Sequence, residues 1–221
     1  MVIKMSKLKI AVIGVGSISQ LHIQGYLKNK DCELYAFCDI NEERLRQMGE
    51  KYGVERLYTD KDEMLRACPE IDAVSVCTWN SAHAECTIAA LNAGKNVLCE
   101  KPMAMHDKEA YLIMKAVRRS GIKLCVDLNR RMSPAMQALR RKWLDHAENP
   151  IHNPWRYIEK QREPLPEENL PHLLIRIQDE SSSYGMGHLD PLSGGGEIIG
   201  ESVHWLDLAC WFFAPQLPCE I

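Results

Sequence analysis

Short apolar runs alternate with longer amphipathic runs from Lys7 to about Asp127. Apolar runs of this length suit buried strands, and the amphipathic runs have the length and period of helices. Strands that alternate with helices form parallel sheets, so we predict an α/β fold with a doubly wound, six-stranded Rossmann sheet. The predicted strands are Lys9 to Ile13, Glu33 to Cys38, one near Leu57, Ala73 to Cys77, Asn96 to Cys99 and Lys123 to Val126, and the predicted helices are 17–29, 41–52, 60–67, 81–93 and 107–120.

A glycine-rich turn follows the first predicted strand. In AVIGVGSISQ, Gly14, Gly16 and Ser19 occupy the three small-residue positions of a GxGxxG pattern. Gly14 allows a tight turn, Gly16 lets backbone amides approach a pyrophosphate, and Ser19 lets the helix pack closely on the strand. Ser17 and Ile18 complete the turn, and we expect them to contact the cofactor too. The pattern follows a strand and opens a helix, the context that a dinucleotide-binding site requires.

Asp39 directly follows the second predicted strand, in LYAFCDIN. A carboxylate at this place hydrogen-bonds the adenosine ribose hydroxyls and repels a 2′-phosphate. Ile40 and Asn41, which follow, offer no cation that would hold such a phosphate. We therefore predict NAD as the cofactor, in preference to NADP. The alternative is that Asp39 caps the helix that starts near Asn41.

Charge and cysteine usage limit the partner and the compartment. The formal net charge is −3 and no run of lysines or arginines is of the kind that tracks phosphates, so we predict a small-molecule partner and no nucleic acid. No segment approaches about 18 continuous apolar residues, so we expect no membrane span. The nine cysteines include no CxxC pair and no zinc-like spacing, so we predict neither a metal site nor disulfides and place the protein in the cytoplasm.

The alternating pattern stops after Asp127, so we predict two domains, a nucleotide-binding domain over 1–127 and a substrate and oligomerisation domain over 128–221. In the second domain, the sequence predicts a helix over 133–147, a strand-like run at 173–178 and a helix that contains His204 after the glycines at 194–196. Tyr184, His188 and Asp190 are candidates for substrate contact, although polar loop residues are ordinarily solvated.

The run Val76 to Ala104, VCTWNSAHAECTIAALNAGKNVLCEKPMA, resembles the Gfo/Idh/MocA oxidoreductases, named for glucose-fructose oxidoreductase and inositol dehydrogenase. Their first domain carries T-P-N-x-x-H followed by A-G-K-x-V-x-x-E-K-P. His22, Asn129, Arg131 and the GGG and HWLDL stretches also match, so the resemblance spans nearly the whole chain. Trp79 stands where the family usually has proline, and it either stacks on the cofactor or is buried.

The resemblance implies an active-site lysine and a set of cofactor contacts. Lys101, in EKP, would direct its ammonium at the nicotinamide ribose and a substrate hydroxyl, with a cis bond into Pro102; a solvated surface lysine is the alternative. His83 is a helix-start residue in the alternative interpretation. The cofactor contacts that the resemblance implies are Thr78, Asn80, His83, Glu100 and Lys101.

The resemblance also implies a catalytic base in the second domain. Oxidation of an alcohol by NAD needs a base for the hydroxyl proton, and His204 holds the matching position. Many members have aspartate one helical turn earlier, where this chain has Gly200, so Glu201 would orient the imidazole instead. Arg131, His188 and Asp207 are the expected substrate contacts. On its own, His204 would be a core histidine, and Asp207 would be structural.

These observations predict an NAD-dependent oxidoreductase that acts on the CH–OH group of a sugar, inositol or related polyol. A redox-neutral NAD-dependent glycosidase and a non-catalytic nucleotide-binding sensor are the alternatives. In the family, the second domain is an open sheet that covers the nicotinamide and often forms the oligomer interface. Because the chain ends at Ile221, we expect a truncated second α+β domain, weak or absent turnover, and a homo-oligomer only if that domain is completed. Exposed aromatic side chains are then expected at Trp205, Trp211, Phe212 and Phe213.

Overall fold

The structure is a computed structural model that describes residues 6–148, 175, 190 and 198–214. These residues divide into two compact units. The first contains 6–127 with 190 and 198–200, and the second contains 128–148 with 175 and 201–214. The division of the whole chain into domains 1–127 and 128–221 stays a prediction. The run at 173–178, Tyr184, His188 and the glycines at 194–196 lie outside the described residues, Ile175 excepted.

The first unit is built on a sheet of six parallel strands, which confirms the predicted fold class. The strand order is β3-β2-β1-β4-β5-β6. The chain therefore leaves β1 in one direction along the sheet and returns to its other side at β4. The strands are β1 Leu8–Ile13, β2 Cys32–Cys38, β3 Leu57–Tyr58, β4 Ala73–Val76, β5 Asn96–Cys99 and β6 Leu124–Val126.

Five helices connect these strands. In two of them, the side chain of the N-cap residue hydrogen-bonds a backbone amide of the first turn. The Asn41 side chain accepts the Arg44 N–H at 2.9 Å, and the Asp60 side chain accepts the Glu63 N–H at 2.7 Å, which satisfies amides that lack a partner within the helix. The helices are α1 Ser19–Lys28, α2 Glu42–Tyr52, α3 Lys61–Ala67, α4 His83–Asn92 and α5 Asp107–Ser120, and a short 3-10 helix, Asn80–Ala82, precedes α4.

The core lies on both faces of β1, because side chains alternate between the faces of a strand. Ala11 and Ile13 pack in a cluster with Met64, Leu91 and Ile113, which come from α3, α4 and α5. Val12 packs in a second cluster on the other face, with Ile23 of α1 and with Leu45 and Met48 of α2. Helices therefore cover both faces of the sheet, as a doubly wound fold requires.

The second unit contains two longer helices, α6 Pro134–Glu148 and α7 Val203–Phe213, and a 3-10 helix, Asn129–Met132. A π-helical turn, Ile198–Ser202, leads from the first unit into α7. The Trp143 ring lies edge-on to Phe212 and Phe213, with centroids 5.6 and 5.1 Å away. The expectation of exposed aromatic residues on α7 is therefore wrong: Phe212 is buried, and Trp205, Trp211 and Phe213 are half-buried.

None of the helices in the described part of the chain combines the length and apolar character that a membrane crossing requires.

Candidate functional site

The carboxyl ends of β1 and β4 meet at the point where the strand order reverses. In open α/β sheets, ligands bind in the crevice outside the strand ends at such a point. The segments that follow the strands at this edge carry most of the residues that the sequence predicts as cofactor contacts. They are Gly14 to Ile18 after β1, Asp39 after β2, Thr78 to Asn80 after β4, and Glu100 with Lys101 after β5.

Gly14 is a glycine because the fold requires one. Its φ is +84°, and a Cβ atom there would lie 2.7 Å from the carbonyl carbon and oxygen of Cys77. Its N–H donates to the Cys38 carbonyl at 2.8 Å, which holds the turn across the neighbouring strand. A side chain at this position would push the turn away from the end of β4.

Gly16 has no comparable restriction. A Cβ atom there would meet only Arg44 Nη1, at an ordinary contact distance of 3.6 Å. The packing of the fold therefore leaves the surface of the turn open at Gly16, and this is where a pyrophosphate would approach the backbone.

The start of α1 is suited to an anion. Ser19 is fully buried, and its hydroxyl donates to the Gly16 carbonyl at 2.7 Å, which fixes the turn against the helix. Ser17 and Ile18 are exposed, Ile18 provides no side-chain cap, and the first turn carries no acidic residue. The positive end of the helix dipole is therefore not neutralised by a carboxylate of the helix itself.

Asp39 lies beside this turn and is buried. Its Oδ2 accepts the Val15 N–H at 2.9 Å, and its Oδ1 accepts the Asn41 N–H at 2.8 Å. A carboxylate accepts about four hydrogen bonds, so both oxygens keep capacity for ribose hydroxyls. The alternative in which Asp39 caps α2 is wrong, because the Asn41 side chain is the cap.

Arg44 adds a cation that was not predicted from the sequence. It lies on the first turn of α2, and its Nη1 is 3.8 Å from Asp39 Oδ2, with nearly half of the side chain exposed. An arginine near the acidic residue is the group that accommodates a 2′-phosphate in NADP-binding relatives of this fold. The predicted preference for NAD therefore depends on the Asp39 carboxylate and not on the absence of a cation.

The segment after β4 divides into exposed and buried side chains. Trp79 is 60% exposed, so the interpretation of this residue as buried is wrong. Thr78 is half-buried, and its hydroxyl contacts the Trp79 carbonyl at 3.2 Å. Asn80 is buried at the start of the 3-10 helix.

His83, at the start of α4, is 1% exposed. Its Nδ1 lies 2.7 Å from the Pro102 carbonyl oxygen and its Nε2 lies 3.1 Å from the Thr78 carbonyl oxygen. Burial lowers the pKa of His83, so a neutral ring donates to one of these carbonyls. In this structure the ring joins the segments after β4 and β5, which is a bracing role at the start of the helix.

His22, Glu100 and Asp127 form a largely buried ionic network beside the segment that follows β5. His22, on α1, places Nδ1 2.8 Å from the Ser75 hydroxyl and Nε2 2.8 Å from Glu100 Oε1. The side chains of His22 and Glu100 are 6% and 8% exposed. Burial opposes the charge on the imidazole, but the contacts with Cys77 and Glu100 outweigh it and raise the pKa of His22 to about 10. Burial raises the pKa of Glu100, but its bond to His22 outweighs this effect, so the pKa of this carboxyl is below its usual range.

Lys101 follows directly. Its backbone N–H donates to Glu100 Oε2 at 3.1 Å, and its Nζ donates to the Gly200 carbonyl at 2.8 Å. The bond between Lys101 and Pro102 is cis, as the resemblance implies. The side chain is half-buried and contacts other protein groups, so it differs from a solvated surface lysine.

Asp127 directly follows β6 and joins the same network. Its Oδ2 is 3.6 Å from His22 Nε2, and burial together with the Glu100 carboxylate raises the pKa of Asp127. Potential ligand atoms of His22, Glu100 and Asp127 all lie within 4.8 Å of one another, and they form the one such group of three among the described residues. The 2.8 Å contact between His22 and Glu100 favours a hydrogen-bonded ion pair over a metal centre, because the two groups already satisfy each other.

The predicted catalytic and substrate residues of the second unit lie on or near α7. His204 is buried on α7, and Glu201 is half-buried in the preceding turn. The Nε and Nη2 groups of Arg131 donate to Oδ2 and Oδ1 of the Asp207 carboxylate, so these two predicted substrate contacts form a bidentate pair with each other. The predicted contact His188 lies outside the described residues. The pairing of His204 with Lys101, which belongs to the first unit, stays a prediction.

The first unit also matches a family of known proteins. The sequence model of the oxidoreductase family GFO_IDH_MocA, described as having an NAD-binding Rossmann fold, matches residues 8–128. The chain belongs to the Gfo/Idh/MocA oxidoreductase family. The predicted resemblance is thereby confirmed.

Relatives in this family include sugar and inositol dehydrogenases. The chain is 35% identical over 133 residues to the myo-inositol 2-dehydrogenase of Thermotoga maritima, covering 60% of this chain and 40% of the relative. It is 32% identical over 207 residues to the D-glucoside 3-dehydrogenase of Escherichia coli, covering 93% of this chain and 54% of the relative. The chain thus spans about half or less of the length of these Gfo/Idh/MocA relatives.

A solved structure in complex with a cofactor is also similar. The WlbA dehydrogenase from Bordetella pertussis, determined with NADH and UDP-GlcNAcA, superimposes with a TM-score of 0.59 at 29% identity, over 64% of this chain and 42% of that protein.

Four members of the site were not predicted from the sequence as functional residues: His22, Arg44, Ser75 and Asp127. His22 was noted only as a match to the family pattern, and only the fold brings the four residues to the site. Asp127 did carry one signal, since it directly follows the sixth predicted strand, where open sheets hold their ligands.

Proposed function

We propose that this chain provides the NAD-binding part of an oxidoreductase that transfers a hydride between a nicotinamide and the CH–OH carbon of a sugar, inositol or related polyol. One observation carries the proposal. Lys101 is fixed at the same edge of the sheet as the glycine turn and Asp39, with its ammonium held by a carbonyl and its backbone held by a buried carboxylate. A cation placed beside a nucleotide crevice can stabilise the oxygen of a reacting alcohol.

The residues of the first unit fit a dinucleotide. The open surface at Gly16 and the uncapped start of α1 would hold the pyrophosphate, and Asp39 would bind the adenosine ribose. When bound, NAD supplies the acceptor for the hydride. We propose NAD in preference to NADP, because a buried carboxylate stands beside Arg44 and opposes a second anion there.

The substrate class is proposed from the relatives together with Lys101. The names of the two relatives refer to an inositol and a glucoside, and both compounds present secondary hydroxyl groups. In this proposal Lys101 orients the hydroxyl oxygen and stabilises its developing negative charge, and His204 removes the proton with Glu201 as its neighbour. Arg131 and Asp207 would contact the substrate as a charged pair.

The test is a panel of inositols, aldoses and glucosides incubated with the chain and NAD, with NADH formation followed by absorbance. The matched variants are Lys101→Met and Lys108→Met, of which Lys108 is exposed on α5. We expect NADH formation with at least one polyol, a loss of about 100-fold in Lys101→Met, and no change in Lys108→Met. Equal rates in the two variants would contradict the proposal.

A further inference from the structure

His22 has no assigned role in hydride transfer, yet its side chain is buried and its contacts raise its pKa to about 10. Its side chain is 6% exposed, so it is shielded from a substrate in the crevice and unsuited to be a base. Both ring nitrogens are occupied, one by the Ser75 hydroxyl and the other by Glu100. A ring held at both nitrogens is fixed in orientation, and it fixes the groups that it contacts.

Glu100 transmits this orientation to the next residue. Its Oε1 accepts from His22, and its Oε2 accepts from the backbone N–H of Lys101. The carboxylate cannot rotate without breaking one of these bonds. The position of the Lys101 backbone is therefore coupled to the imidazole, and the ammonium at the end of that residue is held on the Gly200 carbonyl.

We propose that His22 is a positioning residue that holds the Lys101 ammonium in place through Glu100. The consequence for hydride transfer rests on the proposed function, because it assumes that Lys101 contacts the cofactor and the substrate. The positional part does not depend on that function. It can be measured on the protein without a cofactor.

Two substitutions separate donation to Glu100 from the other contacts of the ring. The amide nitrogen of glutamine reaches about as far as histidine Nε2, and that of asparagine about as far as Nδ1. His22→Gln therefore keeps a donor for Glu100, whereas His22→Asn keeps one for Ser75 and loses the donor for Glu100. A role limited to packing or to the Ser75 contact does not predict rescue by glutamine.

The measurement is reductive methylation of lysines, with the rate at Lys101 determined by peptide mass spectrometry. In His22→Gln, we expect the methylation rate at Lys101 to stay within about twofold of the rate in the unmodified sequence. In His22→Asn, we expect this rate to be about tenfold higher, the change expected on loss of one hydrogen bond to a charged group. His106→Gln and His106→Asn are the matched controls, since His106 is exposed and makes no capping bond. The exposed Lys108 is the internal reference in every sample.

If His22→Asn fails to fold, methylation at the buried Lys95 will also be faster. A second variant tests the positioning role in that case. Glu100→Gln keeps the shape of the side chain but replaces one of its two acceptor oxygens by an NH2 donor, so the bonds from protonated His22 to Oε1 and from the Lys101 N–H to Oε2 cannot both be kept. We expect faster methylation of Lys101 in this variant with Lys95 unchanged. Unchanged methylation in Glu100→Gln, or equal rates in the two His22 variants, would overturn the positioning role.

The same samples also show whether NADH protects Lys101 from methylation, and this measurement tests the proposed function separately. If NADH fails to protect Lys101 in the unmodified sequence while the two His22 variants still differ, the proposed function is wrong and the positioning role stands. If NADH protects and the two variants do not differ, the positioning role alone is wrong.

Discussion

Gly14 and Gly16 belong to one motif, yet the structure gives them different reasons to be glycine. At Gly14 the backbone has a positive φ and lies against the Cys77 carbonyl, so the fold itself excludes a side chain. At Gly16 a Cβ atom would meet only the end of the flexible Arg44 side chain, so only a bound ligand would exclude a side chain at this position. The sequence pattern alone does not separate a structural glycine from a ligand-facing one.

This difference predicts the effect of Gly16→Ala. The variant should fold with an unchanged melting temperature, because its Cβ meets only an ordinary contact, and its affinity for NADH should fall about tenfold or more, because the methyl group stands where the pyrophosphate approaches. The matched control is Gly25→Ala on α1, where a Cβ meets no atom within 4 Å. Calorimetric titration and thermal unfolding of both variants provide the check. NADH affinity retained in Gly16→Ala would count against the phosphate site.

A second prediction concerns Asp39 and Arg44. Asp39→Ala removes the carboxylate that opposes a 2′-phosphate and leaves the Arg44 guanidinium in place, so the ratio of NADP affinity to NAD affinity should rise about tenfold or more. Fluorescence titration with NADH and NADPH measures this ratio. In the double variant Asp39→Ala with Arg44→Ala, the gain should disappear. A gain that survives without Arg44 would show that the arginine does not contribute to cofactor choice.

At the scale of elements, most strands and helices could be predicted because their periodicity is local. Asn96 to Cys99 was predicted with the bounds that the structure has, and the other strands differ by one residue at an end or, for β3, were predicted only by position. The helix predictions 41–52 and 60–67 each begin one residue early, because the first residue in each case is the capping side chain and not part of the helix. Helix α1 begins two residues later than predicted, since the glycine turn continues to Ile18.

The side-chain cap of α2 predicts how a substitution at Asn41 changes stability. Asn41→Ala removes the acceptor of the Arg44 N–H and should lower the free energy of unfolding by about 1 kcal/mol. Gln47→Ala, in the middle of the same helix and exposed, is the control and should change stability by less than about 0.5 kcal/mol. Urea denaturation measures both values. Equal effects would mean that the cap contributes nothing to α2.

At the scale of the whole molecule, the site combines residues from distant parts of the sequence, and this limits what a single sequence can predict. Asp39 and Lys101 could be found because each lies in or beside a recognisable local pattern. Ser75 and Asp127 could not be assigned, because their contact with His22 exists only after α1, β4 and β6 have come together. The relation of His204 to Lys101 stays a prediction, because the two residues belong to different compact units.

The buried network predicts how stability depends on pH. The folded pKa of His22 is raised to about 10 from 6.5, so its contribution is complete below pH 6.5 and is lost as the pH rises through 10. The lowered pKa of Glu100 gives a contribution that is present above pH 4.5 and is lost as the pH falls through the folded value. Ser75, Cys77 and Tyr26 are the other polar groups beside this network, together with Asp127.

The stability advantage of the unmodified sequence over His22→Gln should therefore shrink between pH 7 and pH 10, by up to about 1.4 kcal/mol per pH unit. Urea denaturation at a series of pH values measures this difference, and the same series on His106→Gln controls for other groups that titrate in the range. A difference that stays constant from pH 7 to pH 10 would show that His22 is not charged in the folded protein.

The claim on which the account depends most is that this chain holds NAD at the glycine turn. Isothermal titration calorimetry of the unmodified chain with NADH tests it most directly. We predict binding of one NADH per chain with a Kd below about 100 μM, equivalent to roughly −5.5 kcal/mol or better. A folded chain that releases no heat of binding up to about 1 mM NADH, where the free energy would be about −4 kcal/mol, would contradict the account.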